Sequence, residues 1–217
     1  MKSYIIFDLD GTLLNTIADL ANAVNYALTK LGYPTHALSS YNLMVGNGAA
    51  KLVERALPDD ARSDEIIAKT LSIFKEYYTE HCFDETVPYP EIPELLEMLT
   101  AKGINLAVTS NKYQEAVTKI IRHYFPSANF RSILGNTEGM PRKPDPSILF
   151  QALIECPTPK KDVLYVGDSG VDMETARRAC VESVGVTWGF RPEAELKAAY
   201  ADHIVTSPLQ IIKLIPL

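Results

Sequence analysis

Short apolar runs alternate with helical patterns along most of the chain, and this alternation restricts its fold more than any other feature. Tyr4-Ile5-Ile6-Phe7 is apolar throughout and ends in a carboxylate-rich turn, Asp8-Leu9-Asp10-Gly11. A run apolar at every position, not every second one, is the pattern of a strand buried on both faces. Similar runs follow at residues 105–109, 131–134, 163–166 and 183–186, with a weaker one at His203-Ile204-Val205. Between them Leu95, Leu96 and Leu99, then Val117, Ile120, Ile121 and Tyr124, then Ile148, Leu149, Ala152 and Leu153 recur at helical spacing. Strands alternating with helices predict an α/β fold, a doubly wound parallel sheet with a Rossmann-like core.

The segment after the first strand breaks the rhythm. Ile17, Leu20, Ala21, Val24, Leu28 and Leu31 mark an amphipathic helix that Gly32 and Pro34 stop. Leu52, Val53, Ala56 and Leu57 mark a second, and Ile67, Leu71, Phe74 and Tyr78 a third, with no strand pattern between. Val87-Pro88-Tyr89-Pro90-Glu91-Ile92-Pro93 then reads as a stiff, extended linker. The expected division is residues 1–15 with 87–217 as the α/β core, and residues 16–86 as an all-helical domain inserted after strand one.

Composition closes off several functions. At 217 residues and 47% hydrophobic, the chain has the length and apolar content for one such core plus a smaller insertion. No apolar run approaches membrane-spanning length, and the acidic Asp8 and Asp10 come too early for a signal peptide, so the reading is cytoplasmic, without a membrane partner. Net charge is −6 with no basic block, which argues against nucleic acid as a partner. Cys82, Cys156 and Cys180 are odd in number and far apart, and His36, His81, His123 and His203 lack ligand spacing, so neither a disulfide framework nor a zinc site is expected. No G-x-x-x-x-G-K-[ST] sequence occurs, which removes P-loop chemistry.

Open α/β sheets bind ligands beyond the carboxyl ends of their strands. Asp8-Leu9-Asp10-Gly11-Thr12-Leu13 follows the first run, Ser110-Asn111-Lys112 the second, and Gly167-Asp168-Ser169-Gly170-Val171-Asp172 the fourth. Arg142-Lys143-Pro144-Asp145 lies after the third, at the expected start of a helix. Four acids, a hydroxyl and a lysine thus meet on one sheet edge. Hard oxygen donors at close range suit Mg²⁺, which binds through one or two carboxylates and substrate phosphate. Ser110 can donate to a phosphate oxygen and Lys143 can neutralise another. Asp8 is placed to attack phosphorus, with Asp10 near the leaving oxygen.

These four motifs, in this order, resemble those of the haloacid dehalogenase superfamily, over nearly the whole chain. Within it, Val45-Gly46-Asn47-Gly48-Ala49, Tyr89-Pro90, the Ser-Asn-Lys triplet, Arg142-Lys143-Pro144-Asp145-Pro146 and Gly185-Val186-Thr187-Trp188-Gly189-Phe190 resemble bacterial phosphoglycolate phosphatases. The resemblance implies Asp8 as nucleophile and metal ligand, and Asp10 as general acid/base offering its backbone carbonyl to the metal. It implies Ser110 and Lys143 holding the phosphoryl group, Asp168 as the third metal contact, Asp172 as an orienting acid and Thr12 supporting the first loop. Thr12, Asn111 and the Gly46-Asn47-Gly48 turn join the expected phosphate- and substrate-binding set, Mg²⁺ is the expected cofactor, and residues 16–86 become a cap that opens and closes. The family often has an acid where Asn15 stands and usually glycine where Glu91 stands.

The implied activity is Mg²⁺-dependent hydrolysis of a small phosphorylated metabolite through an aspartyl phosphate, with 2-phosphoglycolate as substrate and a monomer or homodimer as the acting form. Other sugar phosphates or pyrophosphate are alternative substrates. A phosphomutase of the β-phosphoglucomutase type and a non-catalytic phospho-acceptor domain are the competing functions; the second lacks a long helical insertion. Individual residues have plainer readings. Ser110 or Asn111 could cap the next helix, and Asp172 could be an N-cap. Gly46-Asn47-Gly48 could be a tight turn, and Trp188 could pack the core or line an entrance.

Overall fold

The computed structural model describes residues 2–215. β1 (Tyr4–Phe7) leads through a tight loop to the two-residue β2 (Leu14–Asn15). Four helices follow: α1 (Ile17–Lys30), α2 (Tyr41–Met44), α3 (Ala49–Ala56) and α4 (Asp64–His81). The chain returns through β3 (Val87–Pro88), which pairs with β2, into α5 (Ile92–Ala101). Then β4 (Asn105–Tyr113), α6 (Gln114–Tyr124), β5 (Phe130–Asn136), α7 (Ser147–Glu155), β6 (Val163–Gly167), α8 (Gly170–Ala179), β7 (Glu182–Val186), α9 (Glu193–Ala198) and β8 (His203–Val205) alternate. The chain divides into two compact units, residues 1–14 with 88–217, and residues 15–87.

The first unit holds a six-stranded sheet in the order β5-β4-β1-β6-β7-β8, with every neighbouring pair parallel. β1 lies inside it, Phe7 facing Val108 on one side and Val166 on the other. This explains its composition: Tyr4, Ile5, Ile6 and Phe7 are all fully buried, so no position can be polar. Tyr4 and Ile6 pack with Ile148, Leu149 and Ala152 of α7 and Ala176 and Ala179 of α8. Burial of each such side chain contributes about 1.5–3 kcal/mol.

In the second unit, α1 buries Leu20, Ala21, Ala23, Val24, Ala27 and Leu28, the stripe its spacing announces, and α4 buries Thr70, Phe74 and Tyr78. The buried carboxylate of Asp19 on α1 accepts from the backbone N–H groups of Glu85 and Thr86, both at 2.9 Å. The returning chain is thereby hydrogen-bonded to the helix that began the excursion.

Three local expectations need correction. The proline-rich segment is not an extended linker to its end, because α5 starts at Ile92 and takes Pro93 into its first turn, where a missing N–H costs nothing. β4 does not stop at Thr109 but runs on through Ser110, Asn111 and Lys112 to Tyr113. Lys143 precedes the next helix by several residues, since α7 begins only at Ser147, after Asp145 has accepted from the Ser147 N–H at 2.9 Å. Among the described residues no helix is long and apolar enough to cross a membrane.

Candidate active site

Sheet hydrogen bonding carries the first acid to its place: the Asp8 N–H donates to the Val166 carbonyl at 2.8 Å, one residue beyond the end of β1. The chain then turns at once, with the Leu13 and Leu14 N–H groups both donating to the Leu9 carbonyl at 3.1 Å and Asp10 held in the turn. Pairing of β1 with β4 and β6 sets Ser110, Asn111 and Lys112 on one side and Asp168 on the other. Asp172 arrives on the first turn of α8. Asp8, Ser110, Asn111, Lys112, Lys143, Asp168 and Asp172 are all buried, an unusual density of polar groups that demands partners.

Lys143 supplies most of them. Its Nζ donates to Asp8 Oδ1 at 2.7 Å, Asp172 Oδ1 at 2.8 Å, the Tyr165 hydroxyl at 2.9 Å and the Thr109 carbonyl at 3.3 Å. Tyr165 donates in turn to Asp172 Oδ1 at 3.1 Å and accepts from the Thr109 hydroxyl at 3.3 Å. Asp172 is not the N-cap of α8. Ser169 is, and Asp172 stands three residues on in a capping box, its Oδ2 accepting from the Ser169 N–H at 3.2 Å and hydroxyl at 2.6 Å. One carboxylate thus closes a helix start and orients a lysine.

Asn111, expected in the phosphate-binding set, is hydrogen-bonded through its side chain to the Lys143 backbone. Its Oδ1 accepts from the Lys143 N–H at 2.9 Å and its Nδ2 donates to the Lys143 carbonyl at 3.2 Å, so the amide braces the loop that carries the lysine. Ser110 does not cap α6; its Oγ accepts from the Lys112 N–H at 3.2 Å. Lys112 Nζ lies 3.0 Å from Asp10 Oδ1. The Trp188 indole N–H donates to the Thr12 carbonyl at 3.0 Å, which ties down the first loop, while the Thr12 hydroxyl is buried without a hydrogen-bond partner among the described residues.

Asp168 is walled in by backbone. A Cβ on Gly11, whose φ is 89°, would lie 2.3 Å from Asp168 Oδ2, and one on Gly189 would lie 2.3 Å from Asp168 Cβ, so only glycine fits at either place. Asp168 Oδ2 accepts from the Phe190 N–H at 2.6 Å.

Electrostatics follows from burial. Desolvation pushes the Asp8 carboxyl up to about 7; Lys143 opposes it, and Asp172 and Asp10 add to it. Burial, then Asp172 and Asp8, hold the Asp168 carboxyl well above the usual carboxylate range. Burial works against the charge on Lys143, but Asp172 and Asp8 outweigh it and keep that ammonium protonated. With all four carboxyl groups ionised, the two ammoniums would leave two negative charges unmatched, which adds to burial in making Asp8 and Asp168 hold their protons to higher pH here. Carboxylate oxygens of Asp8, Asp168 and Asp172 lie within 4.8 Å of one another, a hard-oxygen donor set that fits one divalent cation. Both Asp172 oxygens are already engaged, so Asp8 and Asp168 are the carboxylates left to ligate.

Gly46, Asn47 and Gly48 belong to the helical unit. Gly48 precedes α3 with φ of 85°, a conformation suited to glycine, and Asn47 Oδ1 accepts from Arg55 at 2.8 Å, so the turn has a conformational reason of its own. Sequence reasoning missed Tyr165 and gave no role to Lys112.

Comparisons with known proteins identify the family. A family model described as haloacid dehalogenase-like hydrolase matches residues 5–186. The chain is 40% identical over 203 residues to a phosphoglycolate phosphatase of Pseudomonas syringae pv. tomato, covering 90% of this chain and 74% of the relative. It is 32% identical over 210 residues to one from Aquifex aeolicus, covering 97% and 95%. A crystal structure from Lactobacillus delbrueckii subsp. bulgaricus, provisionally named a phosphoglycolate phosphatase, superposes with a TM-score of 0.92 at 32% identity over 99% of both chains. With a family match running from the first strand of the sheet through β7, and the carboxylates gathered where those strands end, the chain belongs to the haloacid dehalogenase-like hydrolases.

Proposed function

We propose that the protein is a Mg²⁺-dependent phosphatase that hydrolyses 2-phosphoglycolate through a phosphoryl intermediate on Asp8. The coarser statement, that it is a phosphoric monoester hydrolase, rests on the family and on relatives named phosphoglycolate phosphatases. The observation that carries the mechanism is the juxtaposition of Asp8, at the end of β1, with the Lys143 ammonium at 2.7 Å and Asp168 in the same buried cluster.

In this reading an Asp8 oxygen attacks phosphorus while the bond from phosphorus to the leaving oxygen breaks. Asp10 gives that oxygen its proton, releasing glycolate. Water then attacks the same phosphorus, Asp10 takes the proton, and the Asp8–phosphorus bond breaks to release inorganic phosphate. Lys143 and the Ser110 hydroxyl hold phosphoryl oxygens, and Asp172 and Asn111 keep Lys143 in place. Asp8, Asp168 and the Asp10 backbone carbonyl would hold Mg²⁺, which would supply charge neutralisation at the phosphoryl oxygens and favour the ionised form of Asp8. Residues 16–86 are proposed as the domain that selects the leaving group.

The test is phosphate release from 2-phosphoglycolate, sugar phosphates and pyrophosphate by the wild type and Asp8→Asn. The expected result is Mg²⁺-dependent turnover highest on 2-phosphoglycolate, with loss of at least about 10³-fold in the variant at unchanged thermal unfolding. Substantial turnover by folded Asp8→Asn, or full activity after exhaustive chelation, would overturn the reading.

A further inference from the structure

Two lysines are buried among the four carboxylates, and only Lys143 has been given work. Lys112 is 7% exposed, and its Nζ lies 3.0 Å from Oδ1 of Asp10. An ammonium out of water has a substantial desolvation cost, which a strong hydrogen-bonded partner must offset. Its base is rigid: Lys112 sits in β4, its N–H donates to Ser110 Oγ at 3.2 Å, and β4 is hydrogen-bonded to β1 along Tyr4 to Phe7. Asp10 stands in the tight turn after β1, bridged to Leu14, where the backbone bonds run among Leu9, Gly11, Thr12, Leu13 and Leu14. The strand therefore presents a fixed cation to the carboxyl group of an acid whose own backbone is held.

We propose that Lys112 is a positioning residue for Asp10. By binding Oδ1 it fixes the rotation of the carboxyl group, so that the second oxygen keeps one direction through both proton transfers. The division of labour is spatial: Lys143 orients the nucleophile and Lys112 orients the acid/base. A general acid must lie within hydrogen-bond reach of its target, and small misplacements cost orders of magnitude. The inference rests on the reading of Asp10 as acid/base given above.

The experiment measures single-turnover phosphorylation of the holoenzyme by 2-phosphoglycolate, a poor leaving group, and by p-nitrophenyl phosphate, a good one. Lys112→Met keeps the apolar stem and removes the charge. It is expected to slow the first substrate about 10- to 100-fold and the second less than about threefold, because a nitrophenolate needs little protonation. Lys112→Arg should restore part of the loss. In an Asp10→Asn background Lys112→Met should cost nothing further, since the group it positions is gone.

Equal losses on both substrates, or a further loss in the Asp10→Asn background, would overturn the proposal, because a lysine that merely supports the fold does not discriminate leaving groups. If Asp10→Asn alone shows no leaving-group dependence, the acid/base reading itself fails. If Asp10→Asn shows it and Lys112→Met does not, only the role of Lys112 fails. Should Lys112→Met not fold, Lys112→Gln carries the same comparison.

Discussion

Tyr165→Phe isolates one hydroxyl in the middle of the charged network. The ring is fully buried on β6, and phenylalanine fills the same volume, so no cavity opens and the loss is purely polar. The hydroxyl bonds to two charged groups, Lys143 at 2.9 Å and Asp172 at 3.1 Å, and accepts from Thr109 at 3.3 Å. A hydrogen bond to a charged group contributes about 1.5–3 kcal/mol, but Lys143 keeps its two carboxylates and the Thr109 carbonyl, so the two are not lost independently. The expected cost is about 2–4 kcal/mol, which for a chain of this size lowers Tm by roughly 5–12 °C. Urea unfolding should show a lower midpoint at unchanged slope, since the surface exposed on unfolding does not change. With Lys143 less firmly held, kcat should also fall by about tenfold, or about 1.4 kcal/mol in barrier. A variant within about 1 °C of wild type would mean that the hydroxyl is dispensable and that Asp8, Asp172 and the Thr109 carbonyl suffice to fix the lysine.

The carboxylate cluster predicts a linked effect of cation and pH. Burial raises Asp8 from 3.8 to about 7 in the folded protein, so the folded state binds more protons than the unfolded state between those values and metal-free stability falls as pH rises through that window. Mg²⁺ takes the place of the proton, so its gain in Tm should be larger at pH 7.5 than at pH 5, reaching roughly 5–10 °C at a hundred times Kd. A gain independent of pH in calorimetry would refute the link. Glu91 gives a backbone test: it holds φ of 66°, where glycine is at ease, and its carboxylate contacts Ser207. Glu91→Gly and Glu91→Ala both lose that contact, so the glycine variant should be the more stable by about 1 kcal/mol in denaturant unfolding, and equal stabilities would refute backbone strain.

What could be read in the chain depended on how local each signal was. β1 and its acids were legible because a run buried on both faces and a turn rich in carboxylates are contiguous features. Lys143 was legible by charge, since an anionic substrate among acids needs a cation. Tyr165 was not: within Val163-Leu164-Tyr165-Val166 it is one more apolar strand residue, and its hydroxyl acquires meaning only when Lys143 arrives from another loop. The continuation of β4 through Ser110, Asn111 and Lys112 escaped hydropathy because those polar residues are buried by the site, not by a core. α9 escaped because six residues with one buried side chain, Leu196, show no period. The bonds of the Asn111 side chain to a backbone 32 residues away were not legible either, because no local pattern links the two segments.

The interior position of β1 sets a timetable for synthesis. This strand leaves the ribosome before both of its neighbours, which begin at Asn105 and Val163. At about 5–20 residues per second the later neighbour follows by roughly 8–30 s, far longer than a helix takes to form. During that interval residues 15–87, a compact unit of their own, are all available, while Tyr4-Ile5-Ile6-Phe7 has no strand beside it. An unpaired apolar strand invites pairing with other nascent chains. Shielding of Tyr4-Ile5-Ile6-Phe7 during that wait is therefore expected to matter to the yield of folded protein, alongside the stability of the finished sheet.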